Sequence, residues 1–343
     1  MGFKRLEADD FVVSAQAQTQ TCWTNNQPVL TTFYTQSNQV NGASGKYYVT
    51  VFNENPTGSN SQAQFQIAYG NESGGGTLAY NQQAAPGVSP SKTIYGQYRT
   101  LVLEDENSSF VFGGVTGSSI YALSIERSAY KQALFPGSLN LTLKSANNPT
   151  GLQLTDDSKM VNVPTYYGTM RAYQIISGSN GTSWDAPLNG YAGANNELGS
   201  YGLFLPDIGT ILLNGDVLDL GGPQGILLGT VDDENVNGAN PLKLLNALQQ
   251  GSSFGLNSEE TITSDYVFVR ARNSEFNYSE NPSYISGSTG EVIYNYFINN
   301  PQTYLTTVGM YNDSNELLAV AKLSKPLNKD FTKEALIRVK LDF

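Results

Sequence analysis

The stretch Gln64-Phe65-Gln66-Ile67-Ala68-Tyr69 alternates polar and apolar side chains. Because successive side chains of a β-strand point to opposite faces of a sheet, this period of two predicts a strand with one buried face. Similar runs of β-branched and aromatic residues, bounded by turn residues, predict further strands. These runs are Tyr47–Phe52, Thr93–Arg99 with Leu101–Leu103, Phe110–Phe112, Tyr173–Ile176, Tyr201–Leu205, Ile211–Leu213, Tyr266–Arg270, Tyr294–Ile298 and Leu336–Leu341.

Two hairpins stand out among these strands. Leu139–Leu143 and Leu152–Leu154 alternate with polar residues on either side of a turn that contains Asn, Pro and Gly. Tyr304–Met310 and Leu317–Leu323 flank the polar turn Asn312–Asn315. Both patterns are typical of antiparallel neighbours joined by a short loop.

Helix signals are few. Asn240 is a candidate N-cap, Pro241 suits the first helical position, leucines follow at every third position from 242 to 248, and Gly251 suits the C-terminal cap. The segment Ile120–Glu126 fits a strand or a helix, and we favour a strand. A short helix over Ser128–Leu134 is expected to follow it.

These elements predict a mainly β fold, built of multi-strand sandwich-like modules with few short helices. We expect three regions: a β-rich N-terminal region (1–138), a middle β-rich module that ends in a short helix (139–255), and a β-rich C-terminal region (256–343). The strand at the extreme C-terminus suggests that the last region packs with the first.

The composition limits the possible partners. Only 14% of the residues are charged, against roughly 25% in an average domain. The net charge is −11 and no basic cluster occurs, so nucleic acid and anionic membranes are unfavourable partners. The N-terminus lacks the apolar run of a signal peptide, and no stretch reaches the length of a membrane span.

The chain contains no histidine and a single cysteine, Cys22. This composition removes catalytic triads based on histidine, histidine metal ligands and thiolate zinc sites. It also excludes an intrachain disulfide, which fits assembly inside a cell. We expect Cys22 to be a buried, inert thiol rather than a nucleophile.

Paired carboxylates remain as candidate catalytic groups, as in glycoside hydrolases. Every candidate lies in a polar turn context, which favours solvated turn charge over catalysis. The candidates are Glu104, Asp105, Glu106, Asp156, Asp157, Asp232, Asp233, Glu234, Glu259 and Glu260.

Other motifs are weaker. Residues 233–238 resemble the start of a calcium loop, but Leu244 occupies the position that needs a bidentate glutamate. Gly221–Gly225 lacks the spacing of a phosphate-binding loop and predicts a tight turn. Tyr166–Tyr167 and Tyr294–Phe297 could stack on sugars but favour cross-strand or interface packing. We therefore assign no catalytic, cofactor-binding or metal-binding residue and expect no cofactor.

Six segments are distinctive when they are taken together: Ile67–Gly70, Thr93–Arg99, Leu134–Leu143, Tyr201–Gly209, Val267–Tyr278 and Leu318–Leu327. With these segments the chain resembles virion structural proteins of contractile-tailed phages that infect marine cyanobacteria and related bacteria. The resemblance runs over nearly the whole chain and is most specific in the C-terminal part. It implies a particle component of the tail or baseplate without catalytic residues.

We therefore expect a structural subunit of a phage particle, not an enzyme, that is assembled in the host cytoplasm and located in the virion tail or baseplate. Its partners would be other virion proteins, in multiple copies, bound through the loops at 71–92 and 177–200, the Tyr-rich loops and the final strand. A receptor-binding or carbohydrate-binding tail tip protein, a capsid or neck component, and a glycosidase are the alternatives.

Overall fold

The computed structural model describes residues 4–37, 47–76, 89–183, 191–192, 198–233, 239–279 and 281–342. The strands are β1 (Phe11–Thr21), β2 (Val29–Leu30), β3 (Tyr48–Phe52), β4 (Ala63–Asn71), β5 (Phe110–Phe112), β6 (Val115–Gly117), β7 (Ser119–Ile125), β8 (Ala133–Leu134), β9 (Asn140–Ser145), β10 (Asn148–Asp156), β11 (Thr165–Tyr167), β12 (Met170–Ser179), β13 (Thr182–Ser183), β14 (Tyr191–Ala192), β15 (Leu198–Gly199), β16 (Gly202–Leu205), β17 (Thr210–Asn214), β18 (Ser253–Gly255), β19 (Asn257–Ala271), β20 (Thr303–Tyr311), β21 (Leu317–Lys329) and β22 (Ala335–Asp342). The α-helices are α1 (Pro90–Leu103), α2 (Gly215–Leu218), α3 (Asn240–Gly251) and α4 (Asn295–Asn299). Short 3₁₀ turns occupy Ala8–Asp10, Thr24–Asn26, Arg127–Ala129 and Pro206–Ile208.

The prediction of a mainly β fold with few short helices is confirmed. The chain divides into two compact units: a central unit of residues 18–260, and a terminal unit formed by residues 1–17 and 261–343.

A large antiparallel sheet forms the central unit, with the strand order β2-β18-β9-β10-β12-β16-β17-β7-β4-β3. The sheet curls back on itself, because the chain just after β2 meets β3 at its other end. The backbone groups of Tyr34 and Phe52 exchange two hydrogen bonds of 3.0 and 2.8 Å there. The predicted hairpin of β9 and β10 is confirmed, with Leu141 opposite Leu154 and Leu143 opposite Leu152.

Each face of this sheet buries a separate apolar cluster. The larger cluster contains α3, whose Leu244 and Leu248 are fully buried, and the aromatic side chains of Trp23 and Phe254. The smaller cluster lies on the opposite face beneath α1 and includes Tyr95. The sheet therefore carries alternating side chains into two cores, which explains why its strands are richer in apolar residues than strands with one wet face.

The prediction of strands over Thr93–Arg99 and Leu101–Leu103 is wrong, because these residues form α1. The side chain of Ser89 accepts a hydrogen bond from the backbone N–H of Lys92, and Pro90 occupies the first turn. Both features are strong helix-start signals. The loop predicted over 71–92 accordingly ends where α1 begins, and its residues 77–88 lie outside the described residues.

Two further assignments need correction. The segment Ser128–Leu134 forms no α-helix; it contains the end of a 3₁₀ turn and the strand β8. The run Tyr294–Ile298, expected to be a strand, belongs instead to the short helix α4 and its N-cap. In both segments the local pattern is too short for its period to decide between helix and strand.

The helix α3 is confirmed, but its caps differ from the prediction. Ala239 is the N-cap, and Asn240 is the first helical residue. The buried Asn240 side chain donates to the carbonyls of Gly76 and Val231 at 2.8 and 3.0 Å, so it ties two loops to the helix. At the other end, Ser252 rather than Gly251 adopts the left-handed conformation, with φ of 51°.

The terminal unit is built on the antiparallel pairing of β19 with β22, from Ser264 opposite Asp342 to Ala271 opposite Ala335. The predicted hairpin is confirmed as β20 and β21, and the strands predicted at Tyr266–Arg270 and at the C-terminus are confirmed as β19 and β22. A small apolar cluster centred on Val267, Ile337 and Val339 holds the hairpin on this sheet.

Lys329, at the end of β21, is fully buried in the terminal unit. Its ammonium group donates to the carbonyl of Asn273 at 3.0 Å, the side-chain oxygen of Asn277 at 2.9 Å and the carbonyl of Asp330 at 2.8 Å. All three ammonium protons therefore have acceptors, which a buried charge requires.

Candidate interaction surfaces

The strand β1 exposes nearly all of its residues, since only Ser14 and Thr21 are even half-buried. Phe11, Val12 and Val13 keep 48%, 49% and 68% of their surface exposed. In the order β1-β19-β22 this strand is at one end, and among the described residues it pairs only with β19. No strand of the described residues therefore pairs with the backbone N–H and C=O groups of its outer edge, on which another strand can add.

β1 also lacks the features that normally keep sheet edges apart. It contains no charged residue, no proline and no glycine from Phe11 to Thr21. By contrast, the exposed positions of β22 at the other end include Arg338, Lys340 and Asp342. Charges of this kind protect an edge from association, so the two ends of this sheet differ in their capacity to accept a strand.

β1 is not among the strands predicted from the sequence. The signal is nevertheless present: eleven uncharged residues begin with Phe11, Val12 and Val13 and continue with alternating Ala or Thr and Gln. No breaker interrupts them, so the run satisfies the pattern of a strand. Its exposure on both faces, however, depends on the tertiary arrangement and is not encoded in the local pattern.

A second exposed apolar surface covers the outer face of the hairpin of β20 and β21. Side chains on the inner face, such as Val308 and Leu323, pack on the terminal unit's apolar cluster. On the outer face Tyr304, Leu318 and Val320 are 60%, 67% and 58% exposed. Contiguous exposed apolar groups of this kind are typical of protein–protein contact surfaces.

The predicted aromatic cluster around α4 is brought together. The ring centroids of Tyr284 and Phe297 lie 5.3 Å apart, and those of Tyr294 and Tyr296 lie 5.4 Å apart. Phe297 is buried, whereas Tyr296 and Ile298 are 61% and 62% exposed. The cluster thus has one ring fixed inside the unit and several apolar groups directed to solvent, as in interface anchors.

The other predicted interface elements have mixed outcomes. Tyr166, on β11, is 56% exposed, and Leu336, on the final strand, is 65% exposed. Residues 184–190 and 193–197 of the predicted loop 177–200 lie outside the described residues, while 177–179 belong to β12.

An open cleft of about 270 Å³ in the central unit lies between α1 and the strands β3, β4 and β7. Tyr48 and Tyr98 supply aromatic surface, Gln66 and Gln97 supply amides, and small residues form part of the floor. The hydroxyl groups of Tyr98 and Ser124 are 2.9 Å apart. Aromatic rings combined with amides can bind a small polar molecule such as one sugar ring, and the volume lies just below that of ordinary ligand pockets.

Cys22 is buried in the core of the central unit, with 4% of its surface exposed. Burial raises the pKa of its thiol to about 12. A nucleophilic cysteine requires a lowered pKa and access to solvent, so the geometry favours the inert, structural interpretation of this residue.

Asp156 and Asp157 are consecutive, but their carboxylates bind different segments. Asp156 is fully buried and accepts hydrogen bonds from the backbone N–H groups of Gly137 and Leu139 at 2.7 and 3.3 Å. Asp157 is half-buried and accepts from the N–H of Gln174 at 3.0 Å. Burial raises the pKa of both carboxyl groups, that of Asp157 to about 6. Because the two carboxylates bind different segments, they are structural groups rather than an opposed acid–base pair.

The remaining candidate carboxylates have different surroundings, and Glu259 and Glu260 lie on β19 rather than in the turn context expected for them. Glu104, Asp105 and Glu106 form an exposed turn after α1. Asp232 accepts a hydrogen bond of 2.8 Å from the hydroxyl of Tyr69. The other members of the set are the exposed Asp233, Glu234 outside the described residues, Glu259 in an ion pair of 2.8 Å with Arg171, and the half-buried Glu260.

Residues 234–238 of the calcium motif lie outside the described residues. Within the described part of the chain, no group of three or more Asp, Glu or Cys side chains could hold a metal ion. Gly221–Gly225 forms a tight turn, in which the N–H of Gly225 donates to the carbonyl of Gly221 at 3.1 Å.

No helix in the described ranges is both long and apolar enough to cross a membrane. Comparisons of the chain with protein-family models, with curated proteins and with solved structures found no match.

Proposed function

We propose that the protein is a structural subunit of a phage particle, of the tail or baseplate, and that it acts through protein–protein contacts. The open edge of β1 is the observation that carries the proposal. A long, uncharged and exposed edge strand is a liability in a freely diffusing protein. It is useful in a subunit whose neighbours cover it.

The composition and the other surfaces support the same function. The surface has few charges, many Asn, Gln, Ser and Thr residues and exposed apolar groups. Removing water from such a surface costs little free energy. The outer face of the hairpin of β20 and β21 and the aromatic groups around α4 add large, rigid contact areas, which is how tyrosine contributes at interfaces.

Immunogold labelling of intact particles with an antibody to this chain tests the proposal. Label at the distal end of the tail is the expected result. Label on the head or neck would assign the protein to the capsid or neck instead of the tail. Particles without label would overturn the proposal.

The cleft between α1 and β3, β4 and β7 favours a second candidate function, the binding of carbohydrate by a tail tip protein. In that case Tyr98→Ala would abolish binding to a glycan array, because Tyr98 is one of the two aromatic residues supplied to the cleft by α1 and β3. Tyr166→Ala, which removes an exposed tyrosine on β11, is the matched control and should retain binding. Absence of binding by the wild-type protein would eliminate this candidate.

A further inference from the structure

We infer that two copies of this chain associate by antiparallel pairing of their β1 strands, which extends the sheet of each copy across a two-fold axis. This inference rests on the proposed function and specifies one of its contacts. The free edge of β1 fixes the partner's conformation, because unpaired N–H and C=O groups of a strand are satisfied best by another strand.

The charge pattern identifies a second β1 as the occupant. β1 is uncharged over its full length, so an identical strand can approach without placing like charges opposite each other. The other edge strand of the sheet, β22, exposes the charges of Arg338 and Lys340, to which β1 offers no opposite charge. Within the described sheet, therefore, β1 itself is the strand that matches β1.

The residues before β1 determine the direction of pairing. Asp9 and Asp10 precede the strand directly. In a parallel pair the four carboxylates of two copies would lie side by side. In an antiparallel pair they lie at opposite ends of an eleven-residue strand, about 37 Å apart and beyond the screening length of about 8 Å. Antiparallel pairing also closes the assembly at two copies.

Full overlap of the two strands fixes the register. It places Phe11 opposite Thr21 and Gln16 opposite the Gln16 of the second copy. The even-numbered face then carries Ser14, Gln16 and Gln18, whose side chains can bond to one another across the pair as polar ladders do.

A charge swap at the central position tests this arrangement. Gln16 is exposed, so Gln16→Lys and Gln16→Glu should fold normally. Each variant alone places like charges opposite each other and should weaken the dimer roughly fivefold or more. An equimolar mixture of the two should recover dimers that contain one copy of each variant. One variant is labelled uniformly with nitrogen-15, because the lysine and glutamate variants otherwise have almost equal masses. Native mass spectrometry of the full chains then distinguishes the mixed dimer from the two dimers of identical copies.

Ser314→Lys is the matched control, since Ser314 is an exposed residue of the turn between β20 and β21 in the same unit. It should dimerise as the wild type does. A monomeric wild-type protein, Gln16 variants that dimerise normally, or a mixture that recovers no mixed dimer would each overturn the inference. Particle labelling that succeeds while the wild-type chain stays monomeric would refute the β1 pairing and leave the proposed function standing.

Discussion

Asp157→Asn is expected to make the central unit more stable at neutral pH. Burial raises the pKa of this carboxyl from 3.8 to about 6, and the hydrogen bond from Gln174 offsets only part of this effect. A shift of this size corresponds to about 3 kcal/mol for a fully buried group. Because Asp157 is only half-buried, we expect about half of this free energy, or about 1.5 kcal/mol.

The raised pKa of Asp157 determines how the stability of the central unit changes with pH. The folded state holds the proton more tightly than the unfolded chain, so the contribution of Asp157 to stability is complete below about pH 4 and is lost as the pH rises through about 6. The asparagine variant keeps an oxygen for the N–H of Gln174 and has no charge to bury. It should match the wild type in acid and exceed it by about 1.5 kcal/mol above about pH 7.

Urea unfolding followed by tryptophan fluorescence measures this difference, because Trp23 is buried in the central unit. Glu106→Gln, at an exposed turn position, is the control and should leave the pH profile unchanged. The expected role of the Asp157 charge would be refuted if the unfolding free energies of Asp157→Asn and wild type differed by the same amount at every pH.

Three further outcomes are expected. Phe254→Ala should lower the free energy of unfolding by about 3–5 kcal/mol, measured by urea titration, because the fully buried ring packs 4.8 Å from Trp23; a loss below about 1 kcal/mol would contradict this packing. Gly202→Ala should lower the free energy of unfolding by about 1–3 kcal/mol in the same assay, because an added Cβ would lie 2.0 Å from the carbonyl oxygen of Leu212. A variant as stable as the wild type would show that β16 and β17 can move apart without loss of stability. Cys22 should resist a thiol reagent in native buffer and react after unfolding, as an absorbance assay would report; rapid native reaction would contradict its burial and raised pKa.

The parts of the fold that were predicted correctly are those with a repeated local pattern. The leucines of β9 and β10 alternate over enough positions to indicate two strands, and the turn residues between them indicate a hairpin. The helix α1 was missed because Thr93, Ile94 and Tyr95 favour strands individually, although the cap at Ser89 and Pro90 signalled a helix. In α1 the packing of one face on the sheet outweighed these preferences.

The candidate surfaces were predictable only in part. Tyr294 and Tyr296 were identified as an aromatic cluster because only one residue separates them in the sequence. The cleft beside Tyr98, by contrast, combines residues from separate strands and a helix. The open edge of β1 depends on which strands pair with it. That property arises from long-range pairing, which a local sequence pattern does not contain.

The curled sheet of the central unit has a consequence for the order of folding. Its first two strands, β2 and β18, pair Leu30 with Phe254, residues that are 224 positions apart in the sequence. Contacts between such distant residues form slowly, because a long chain segment must be ordered before they are gained. The hairpins of the sheet should therefore form first and the Leu30–Phe254 pairing last. Since Trp23 packs on Phe254, the slowest change in tryptophan fluorescence during refolding should mark the moment at which the sheet closes.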